Sequence, residues 1–382
     1  MIEREQGVLK RFMKGIRLPE DMTPLAQSHR KVKNGQVRIL FLKVGALGDV
    51  LMTTPLVRAT RKAYPYAELI YYTGAWSACA LERNPYLDRV EMFPDEIFFK
   101  KSRAAELVSL LLRLRREKAN ILFCLDKARL FNFFCAGTQI PIRVGFDRAG
   151  EGYGLTKKVP YNKAKHDISY YLDLLAALQG KKIRQTRAHD GMDLSRTAQD
   201  NRAAAKHLRR IPKKRGYIAL LPGGGRNPGQ AVLEKRWPLQ KFKTLAGLLK
   251  EKGYAPLIIG GASDLDLVQA FADIKVPCIV GKTTIQESAA IIDLCAWTIC
   301  NDSGPMHIAA TTRTRIIALF GPTDPRRLAP LGSRHIVLKA QKAPTYHNGT
   351  IAQFARSNAG IRAWSAITPQ AILKIIFKNG KR

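Results

Sequence analysis

The chain has 382 residues, of which 46% are hydrophobic and 25% charged, as in an ordinary globular protein. This length exceeds the usual size of one domain, so we expect two domains, each large enough to bury its own core. The 64 Lys and Arg residues against 30 Asp and Glu residues give a formal charge of +34, which predicts a strong positive field that attracts nucleic acid, acidic lipid or a phosphorylated glycolipid.

The pattern of apolar residues predicts neither a membrane span nor a signal peptide. No run of about eighteen uncharged apolar residues occurs, and the first residues, MIEREQGVLK, lack the apolar core of a signal peptide. The six cysteines are scattered and form no CxxC pair, which is typical of reduced thiols in the cytosol. We therefore expect a cytoplasmic protein.

Residues 1–36 form a basic N-terminal extension that contains the segment VLKRFMKGIRL at 8–18. Helical spacing places its apolar side chains on one face and its basic side chains on the other: Val8, Leu9, Phe12, Met13 and Ile16 against Lys10, Arg11, Lys14 and Arg17. Such a segment can lie on an anionic membrane. The alternative is a helix packed on the body of the protein, and the sequence leaves both open.

Residues 37–190 are predicted to form the first domain. Apolar strands alternate there with amphipathic helices: strands at 37–44, 68–74 and 120–126, helices at 50–63 and 105–117. This alternation is typical of a parallel sheet with helices on both faces.

The alternation is interrupted between about 185 and 216 and then restarts, so 191–215 is predicted to be a linker. The second domain, 216–360, follows the same plan, with strands at 216–225, 255–261, 278–281, 297–301 and 315–321 and helices at 240–252, 264–273, 285–295 and 305–312. Residues 361–382 are predicted to form a closing C-terminal helix. The fold class is therefore α/β, with two Rossmann-like domains whose strand ends face a common cleft.

The loop after the first strand, VGALGDV at 44–50, is the first candidate site. Gly45 and Gly48 permit a tight turn, and Asp49 is expected at the N-cap of the next helix. The loop is not GxGxxG, so a dinucleotide fingerprint is absent. Asp49 is either a plain helix cap or a general base; the helix dipole opposes the second role by favouring the carboxylate, and burial against a substrate would offset that effect.

A glycine-rich loop, PGGGRNPGQAVLEKRWP at 222–238, begins the second domain. Gly223 and Gly224 let backbone amides approach an anion, and Lys235 can supply the counter-charge. The segment GKTT at 281–284 lacks the earlier glycine of a Walker A motif. The DLD triplet at 264–266 resembles a metal-binding DxD, but it opens a predicted helix, where acidic residues are favoured in any case. We expect no metal site.

The segment ICNDSGPMHIAA at 299–310 joins a strand end to a helix start. Asp302 and Ser303 are capping types, and Pro305 at the first helical position has no amide proton to leave unpaired. The helix N-terminus is suited to a phosphate or diphosphate, to which His307 can add a donor. Because FGPTDP at 320–325 follows the next strand, two polar turns at adjacent strand ends predict a nucleotide-diphosphate pocket.

Five segments together resemble glycosyltransferase family nine, the ADP-heptose:lipopolysaccharide heptosyltransferases. They follow one another in the family's order between about 37 and 335: VGALGDVLMTTPLVRATRKAYP, NPYLD at 84–88, KRWP at 235–238, NDSGPMHIAA and FGPTDP. The chain departs from the pattern by the extra stretch RNPGQAVLE between the glycines and KRWP, which shifts the register of the expected diphosphate contacts.

The resemblance implies a GT-B fold and a metal-independent, inverting glycosyltransferase with no cofactor beside its ADP-sugar donor. It gives Asp49 the place of the catalytic base and Lys235 that of a lysine contacting the donor diphosphate. The donor-binding turn would comprise Asp302, Ser303, Gly304, Met306 and His307, with Thr323 beside it. The acid that holds the donor ribose is not matched, and Asp264 is the nearest candidate.

The same resemblance implies an anionic lipid A core as acceptor and peripheral attachment to the inner face of the cytoplasmic membrane. Such an acceptor would account for the excess of Lys and Arg. Two alternatives remain: another GT-B sugar-nucleotide enzyme, with a different donor or an epimerase activity, and a basic nucleic-acid-binding protein. No recognition motif for nucleic acid is visible, so nucleic acid is not an expected partner.

Overall fold

The computed structural model describes residues 37–98, 104–181, 191–224, 226–227, 230–231, 235–340 and 363–379. The predicted amphipathic segment at 8–18 lies outside these residues. No helix in the described ranges is long and apolar enough to cross a membrane. The predicted domain limits stay predictions.

The first sheet has six strands, all parallel: β1 Arg38–Lys43, β2 Glu68–Gly74, β3 Arg89–Phe93, β4 Ile121–Cys124, β5 Ile142–Asp147 and β6 Lys157–Pro160. Their order across the sheet is β3-β2-β1-β4-β5-β6. Strands β1 and β4 are buried almost throughout, because helices cover both faces of a parallel sheet. The order reverses between β1 and β4, which is where open α/β sheets bind ligands.

Within its described residues, the first half contains six α-helices: α1 Leu47–Leu51, α2 Thr54–Ala63, α3 Ala75–Ala78, α4 Ala104–Arg116, α5 Arg129–Gly137 and α6 Asp167–Gln179. The prediction of one helix over 50–63 is wrong, since α1 and α2 are separate. Pro55 has no amide proton for the carbonyl of Leu51. The Thr54 hydroxyl donates to that carbonyl instead, at 2.8 Å, and a new helix begins there.

The second sheet has five parallel strands in the order β10-β7-β11-β12-β13. They are β7 Tyr217–Leu221, β10 Ala255–Ile258, β11 Cys295–Asn301, β12 Arg315–Phe320 and β13 Ile336–Lys339. A short antiparallel ribbon, β8 Arg226–Asn227 with β9 Gln230–Ala231, lies within the glycine-rich loop. The predicted α/β architecture with two parallel sheets is confirmed.

The helices of the second half are α7 Ala198–Leu208, α8 Leu239–Glu251, α9 Asp266–Ala270, α10 Ile285–Asp293, α11 Gly304–Ala310, α12 Pro325–Leu328 and α13 Pro369–Asn379. Helix α7 carries a capping box, in which the Thr197 and Asp200 side chains each bind the other's backbone amide. Helix α13 lies against α8 and buries Ile372 and Ile376 in the core of this half. The predicted C-terminal helix is therefore present.

Two predicted elements around residue 270 are wrong. The helix expected over 264–273 is a 3-10 turn, the short helix α9 and a second 3-10 turn. The buried Asp264 ends the first turn, with its carboxylate directed to the glycine-rich loop. The strand expected at 278–281 is reduced to one bridge between Cys278 and Ile258, because Gly281 has a φ of +70° that leaves the extended conformation.

Candidate active site in the cleft between the two sheets

A cavity of about 920 Å³ lies between the two halves of the chain. The first half contributes residues that follow β1, β2 and β4, and the second contributes residues that follow β7, β10, β11 and β12. Parallel strands direct their carboxyl ends to one edge of a sheet, so these loops meet in one place. The predicted central cleft is therefore present.

Asp49 lines this cavity from the first half. The prediction that it is an N-cap is wrong: Ala46 is the N-cap of α1, and Asp49 is the third residue of the helix. The backbone of Ala46 is extended, with ψ of 157°, and the helix starts immediately after it. Asp49 remains in the first turn, where the helix dipole favours a carboxylate.

The glycines of the same turn have different surroundings. A Cβ on Gly48 would lie 2.4 Å from Cδ2 of His307, which belongs to α11 of the second half. A Cβ on Gly45 would lie 2.7 Å from the Lys43 ammonium. Gly48 lines the cavity and Gly45 does not. The absence of a side chain at Gly48 is therefore what allows α1 and α11 to approach.

Lys235 and Asp302 form an ion pair on the opposite side of the cavity, with 3.0 Å between Nζ and Oδ2. Asp302 is 2% exposed, whereas the Lys235 side chain keeps 23%. Burial alone would raise the pKa of Asp302, but the Lys235 ammonium and the Thr323 hydroxyl hold it below its ordinary value. Asp302 thus fixes a charged lysine that remains accessible from the cavity.

The rest of the predicted donor turn is divided between the cavity and the core. Ser303 is the N-cap of α11 without a side-chain cap bond, and Gly304 lies against Leu47 of the first half. Both line the cavity. Met306 does not: its side chain is fully buried in the hydrophobic core. Helical spacing directs the Met306 side chain to the sheet and away from the cavity.

His307 is buried beside the ion pair and lines the cavity. Burial lowers its pKa to about 4, although Asp302 and Asp49 act in the opposite direction. The imidazole is therefore neutral near pH 7, when it has one N–H donor and one acceptor nitrogen.

The glycine-rich loop is braced by Asp264 and Arg236. Asp264 Oδ1 accepts bonds from the Gly224 amide at 3.1 Å and from Arg236 Nη2 at 3.0 Å, while Arg236 Nε donates to the Gly224 carbonyl at 2.8 Å. Gly224 has a φ of +92° and lies so close to Ser303 that a Cβ would be 2.3 Å away. Asp264 and Gly224 line the cavity, whereas Gly223 lies behind them against Asp264.

Arg236 was not among the predicted site residues, although it lies within the KRWP segment at 235–238. In the same segment Trp237 is 1% exposed, and its backbone amide donates to Asn301 Oδ1 at 2.9 Å. Pro238 is the N-cap of α8. These contacts tie the end of the glycine-rich loop to the end of β11.

Thr323 lies in the turn after β12, next to Asp302 in the turn after β11, and lines the cavity. The two strands pair in parallel, and the Asp302 amide donates to the Leu319 carbonyl at 3.1 Å. Lys339 of β13 holds the turn from behind, donating to the carbonyls of Gly321 and Thr323. The two polar turns predicted at adjacent strand ends are thus side by side.

A set of charged residues on the first-half wall was also missed. Lys43 and Asp126 form a buried ion pair at 2.5 Å, and Asp126 also accepts the amide of Val44 at 2.7 Å. Next to them, Lys127 pairs with Asp167 at 2.6 Å. Burial opposes the charge of Lys43, but Asp126 and Asp49 raise its pKa above the ordinary value.

Of these charged residues, the sequence indicated a site position for two, Asp126 and Lys127. Asp126 and Lys127 come directly after an apolar strand, as site residues of parallel sheets do. Nothing in the sequence around Asp167 marks it as a neighbour of Lys127. Among the described residues, no group of three or more His, Cys, Asp or Glu side chains could hold a metal ion.

The chain is similar to known proteins both in sequence and in fold. Lipopolysaccharide heptosyltransferase 2 of Escherichia coli (strain K12) is 25% identical over 360 residues, which cover 88% of this chain and 97% of that protein. A solved structure of a glycosyl transferase family 9 protein from Veillonella parvula DSM 2008 has a TM-score of 0.72 and 25% identity, covering 90% of this chain and 96% of that chain. E. coli heptosyltransferase WaaC with ADP-2-deoxy-2-fluoro heptose has a TM-score of 0.64 and 20% identity, covering 90% and 100%.

The fold is therefore GT-B, and the resemblance drawn from the five sequence segments is confirmed. The family model described as Glycosyltransferase family 9 (heptosyltransferase) matches residues 108–354, more than half of the chain. It spans the glycine-rich loop, both polar turns and the residues after β4. The chain is a glycosyltransferase and belongs to glycosyltransferase family 9, the heptosyltransferases.

Proposed function

We propose that the protein transfers a heptose from an ADP-activated donor to the inner core of lipopolysaccharide and inverts the anomeric centre in a single displacement. The observation that carries this proposal is the placement of Asp49 opposite the Lys235–Asp302 ion pair across one cavity. The name of the E. coli relative supports lipopolysaccharide as acceptor. The ligand bound to WaaC supports an ADP-heptose donor.

In this mechanism the acceptor hydroxyl enters from the first half. Asp49 removes its proton as the oxygen attacks the anomeric carbon, and ADP leaves from the opposite face of the sugar. General-base catalysis of this kind contributes about 10²- to 10⁴-fold to the rate. The carboxylate lies at the wall from which the acceptor approaches, so the proton leaves on the side away from the diphosphate.

Lys235 stabilises the negative charge that accumulates on the leaving diphosphate. The ion pair with Asp302 holds the Lys235 ammonium group at the cavity. Thr323 and the backbone around Gly224 complete that wall. His307, neutral and buried between the walls, supplies an N–H donor without adding a charge.

We also propose that this transfer needs no metal ion. Lys235 already offers a cation to the leaving group, and two acidic residues on the same wall have partners within the protein: Asp302 pairs with Lys235, and Asp264 with Arg236. Turnover measured after exhaustive treatment with EDTA should equal that of the untreated enzyme. Loss of turnover that Mg²⁺, Mn²⁺ or Fe²⁺ restores would contradict metal independence.

We place the enzyme at the inner face of the cytoplasmic membrane, attached peripherally, because its proposed acceptor is an anionic glycolipid. The formal charge of +34 supports such attachment. Attachment through charge is screened by salt, so washing membranes with concentrated salt should release the protein.

The direct test uses purified protein, ADP-heptose and a lipopolysaccharide acceptor that lacks the heptose. We expect release of ADP and an acceptor heavier by one heptose, with the anomeric configuration inverted. UDP- and GDP-sugars in parallel reactions distinguish another donor. A sugar nucleotide that is recovered intact but with one inverted carbon would identify an epimerase and would overturn the proposal.

A further inference from the structure

A cluster of four side chains closes the cavity where the two halves meet, and the mechanism above does not use it. We call it the Asp167 cluster: Asp167, Lys127, Tyr161 and Arg327. Asp167 and Lys127 belong to the first half, and Arg327 belongs to α12 of the second half, in the segment that begins with Thr323. The three charged members of the cluster, Lys127, Asp167 and Arg327, line the same cavity as Asp49.

Arg327 reaches across from the second half to the first. Its Nη2 donates to Tyr161 Oη at 2.6 Å and lies 3.2 Å from both Asp167 carboxylate oxygens. Lys127 donates to the same carboxylate at 2.6 Å. Two cations thus share one carboxylate inside the cluster, and Asp49 is the further carboxylate that acts electrostatically on both of them.

The carboxylate is buried, whereas the two cations are only partly covered. The Asp167 side chain is 3% exposed, but Lys127 keeps 20% and Arg327 keeps 24%. Burial alone would raise the pKa of Asp167, yet the two cations hold it below its ordinary value. Asp167 therefore stays ionised and acts as a fixed anchor, and the accessible parts of its partners face the cavity.

Both cations are held in place by more than the ion pairs. The Lys127 ammonium lies 4.7 Å from the ring centre of Tyr161 and 5.2 Å from that of Tyr171, distances that favour cation–π attraction. Among the described residues, Arg327 Nε is buried and has no hydrogen-bond partner. An unpaired buried donor costs free energy, so a ligand oxygen that accepted its proton would be bound favourably.

We propose that Lys127 and Arg327 form an anion subsite that binds an acidic group of the acceptor, a carboxylate or a phosphate, and so selects acceptors by their charge. This inference rests on the proposed function and deepens it. The donor half contributes to acceptor recognition through Arg327, and the subsite is complete only when the two halves are together.

The test compares Arg327→Gln, Lys127→Gln and the control Arg326→Gln. Arg326 adjoins Arg327 in sequence, but its side chain is 83% exposed and it pairs only with Asp324 among the described residues. Acceptor binding is measured by calorimetry with ADP saturating the donor site, so that no turnover is needed. Three acceptors are used: the charged lipid A core, the same core with its sugar carboxylates reduced to alcohols, and the same core without phosphates.

We expect Arg327→Gln and Lys127→Gln each to weaken binding of the charged acceptor by about tenfold to a hundredfold, as for one charge-assisted hydrogen bond. ADP affinity should be unchanged, and Arg326→Gln should bind as the wild type does. With whichever altered acceptor lacks the recognised group, the wild-type affinity should already be low and the two variants should lower it no further. That arm identifies the group as carboxylate or phosphate.

Equal losses with all three acceptors, or a loss of ADP affinity as large as that of acceptor affinity, would show that the cluster only holds the halves together and would overturn the inference. So would wild-type binding of all three acceptors with one affinity. If wild-type transfer from ADP-heptose fails while acceptor binding still depends on Arg327, the proposed donor is wrong and the subsite stands. If transfer succeeds and Arg327→Gln behaves as Arg326→Gln, the subsite is wrong and the proposed function stands.

Discussion

Asp49 and Lys235 lie on opposite walls of one cavity, and their charges have different surroundings. Lys235 has a buried carboxylate partner, Asp302, at 3.0 Å. Asp49 interacts electrostatically with three cations, those of Lys43, Lys127 and Arg327. Each of these cations already pairs with another carboxylate, either Asp126 or Asp167. A base must give up its negative charge during the reaction, so a carboxylate without a dedicated cation is suited to that role.

The first prediction concerns this carboxylate. Asp49→Asn keeps the size of the side chain but removes the base, so kcat should fall by about 10²- to 10⁴-fold. ADP affinity should stay close to that of the wild type, because Asp49 lies on the other wall of the cavity. Steady-state kinetics and calorimetry with ADP provide the two measurements. Asp273→Asn, on an exposed residue paired with Lys243, is the matched control, and normal turnover in Asp49→Asn would remove the base from the mechanism.

The second prediction follows from the buried imidazole of His307. Its pKa is about 4 when folded, because of burial, against 6.5 in the unfolded chain. Below 6.5 the unfolded chain binds the proton first, so the folded state loses stability as pH falls from 6.5 to 4 and is unaffected by this group above 6.5. His307 alone should lower the free energy of unfolding by roughly 3 kcal/mol over that range.

Urea unfolding at a series of pH values measures this decline. The variant His307→Gln should have a shallower dependence between pH 6.5 and 4, with a remaining slope from His335, whose pKa burial also lowers to about 4. The same slope in His307→Gln and in the wild type would show that His307 is not the titrating group.

At the scale of elements, the sequence predicted the limits of regular strands and long helices. It did not predict the places where a single contact interrupts a helix. Strand β1 and helices α4, α8 and α10 lie within two residues of their predicted limits, because hydrophobic periodicity reports which face is buried. The break between α1 and α2 follows from Pro55, which cannot donate to the Leu51 carbonyl, and from the Thr54 hydroxyl that donates to this carbonyl instead. The fragmentation around Asp264 depends on a partner 28 positions away in sequence, Arg236, and local patterns do not contain such pairs.

The third prediction concerns the approach of α1 to α11. Gly48→Ala places a methyl group within 2.4 Å of the His307 ring, so the two helices must separate and Asp49 must move with α1. Displacements of about 1 Å in an active site can cost about a hundredfold in rate, and we expect kcat/KM to fall by at least about tenfold. Kinetics on the purified variant measure the loss.

Gly247→Ala is the matched control for this substitution. Gly247 lies inside α8 with nothing within 4 Å of the added methyl group, and alanine is favoured over glycine in a helix by roughly 0.5–1 kcal/mol. This variant should therefore unfold at a slightly higher temperature and keep its activity. If Gly48→Ala were as active as Gly247→Ala, close contact of α1 with α11 would not be a condition of catalysis.

At the scale of the whole molecule, the order of motifs predicted the fold and the walls of the site, but not how the halves meet. Asp49 and the Asp302 turn were recognised because each follows a strand of its own sheet. The contact of Arg327 with Asp167 joins residues 160 positions apart and arises from the docking of one half on the other, for which the sequence has no local pattern. Met306 lies within a recognised motif, and the sequence pattern did not indicate that its side chain packs into the core.

The last prediction concerns the formal charge of +34, which belongs to the whole chain. We expect the purified protein to bind vesicles that contain anionic lipid and to dissociate as salt is raised, because screening weakens attraction between exposed charges. Replacement of Lys10, Arg11, Lys14 and Arg17 by Gln should weaken binding strongly, since each basic residue near such a surface contributes on the order of 1 kcal/mol. Co-sedimentation with vesicles at increasing salt is the measurement.

A control with the same change of charge separates this segment from the overall field. Lys206, Arg209, Arg210 and Lys214 are exposed in the second half, and their replacement by Gln also removes four positive charges. The sequence predicts an amphipathic segment at 8–18, and on that prediction its apolar side chains enter the headgroup region while its basic side chains meet the lipid phosphates. The first variant should therefore bind much more weakly than the second. Equal losses would mean that the field of the whole molecule draws it to the membrane and that the N-terminal segment has no special part in attachment.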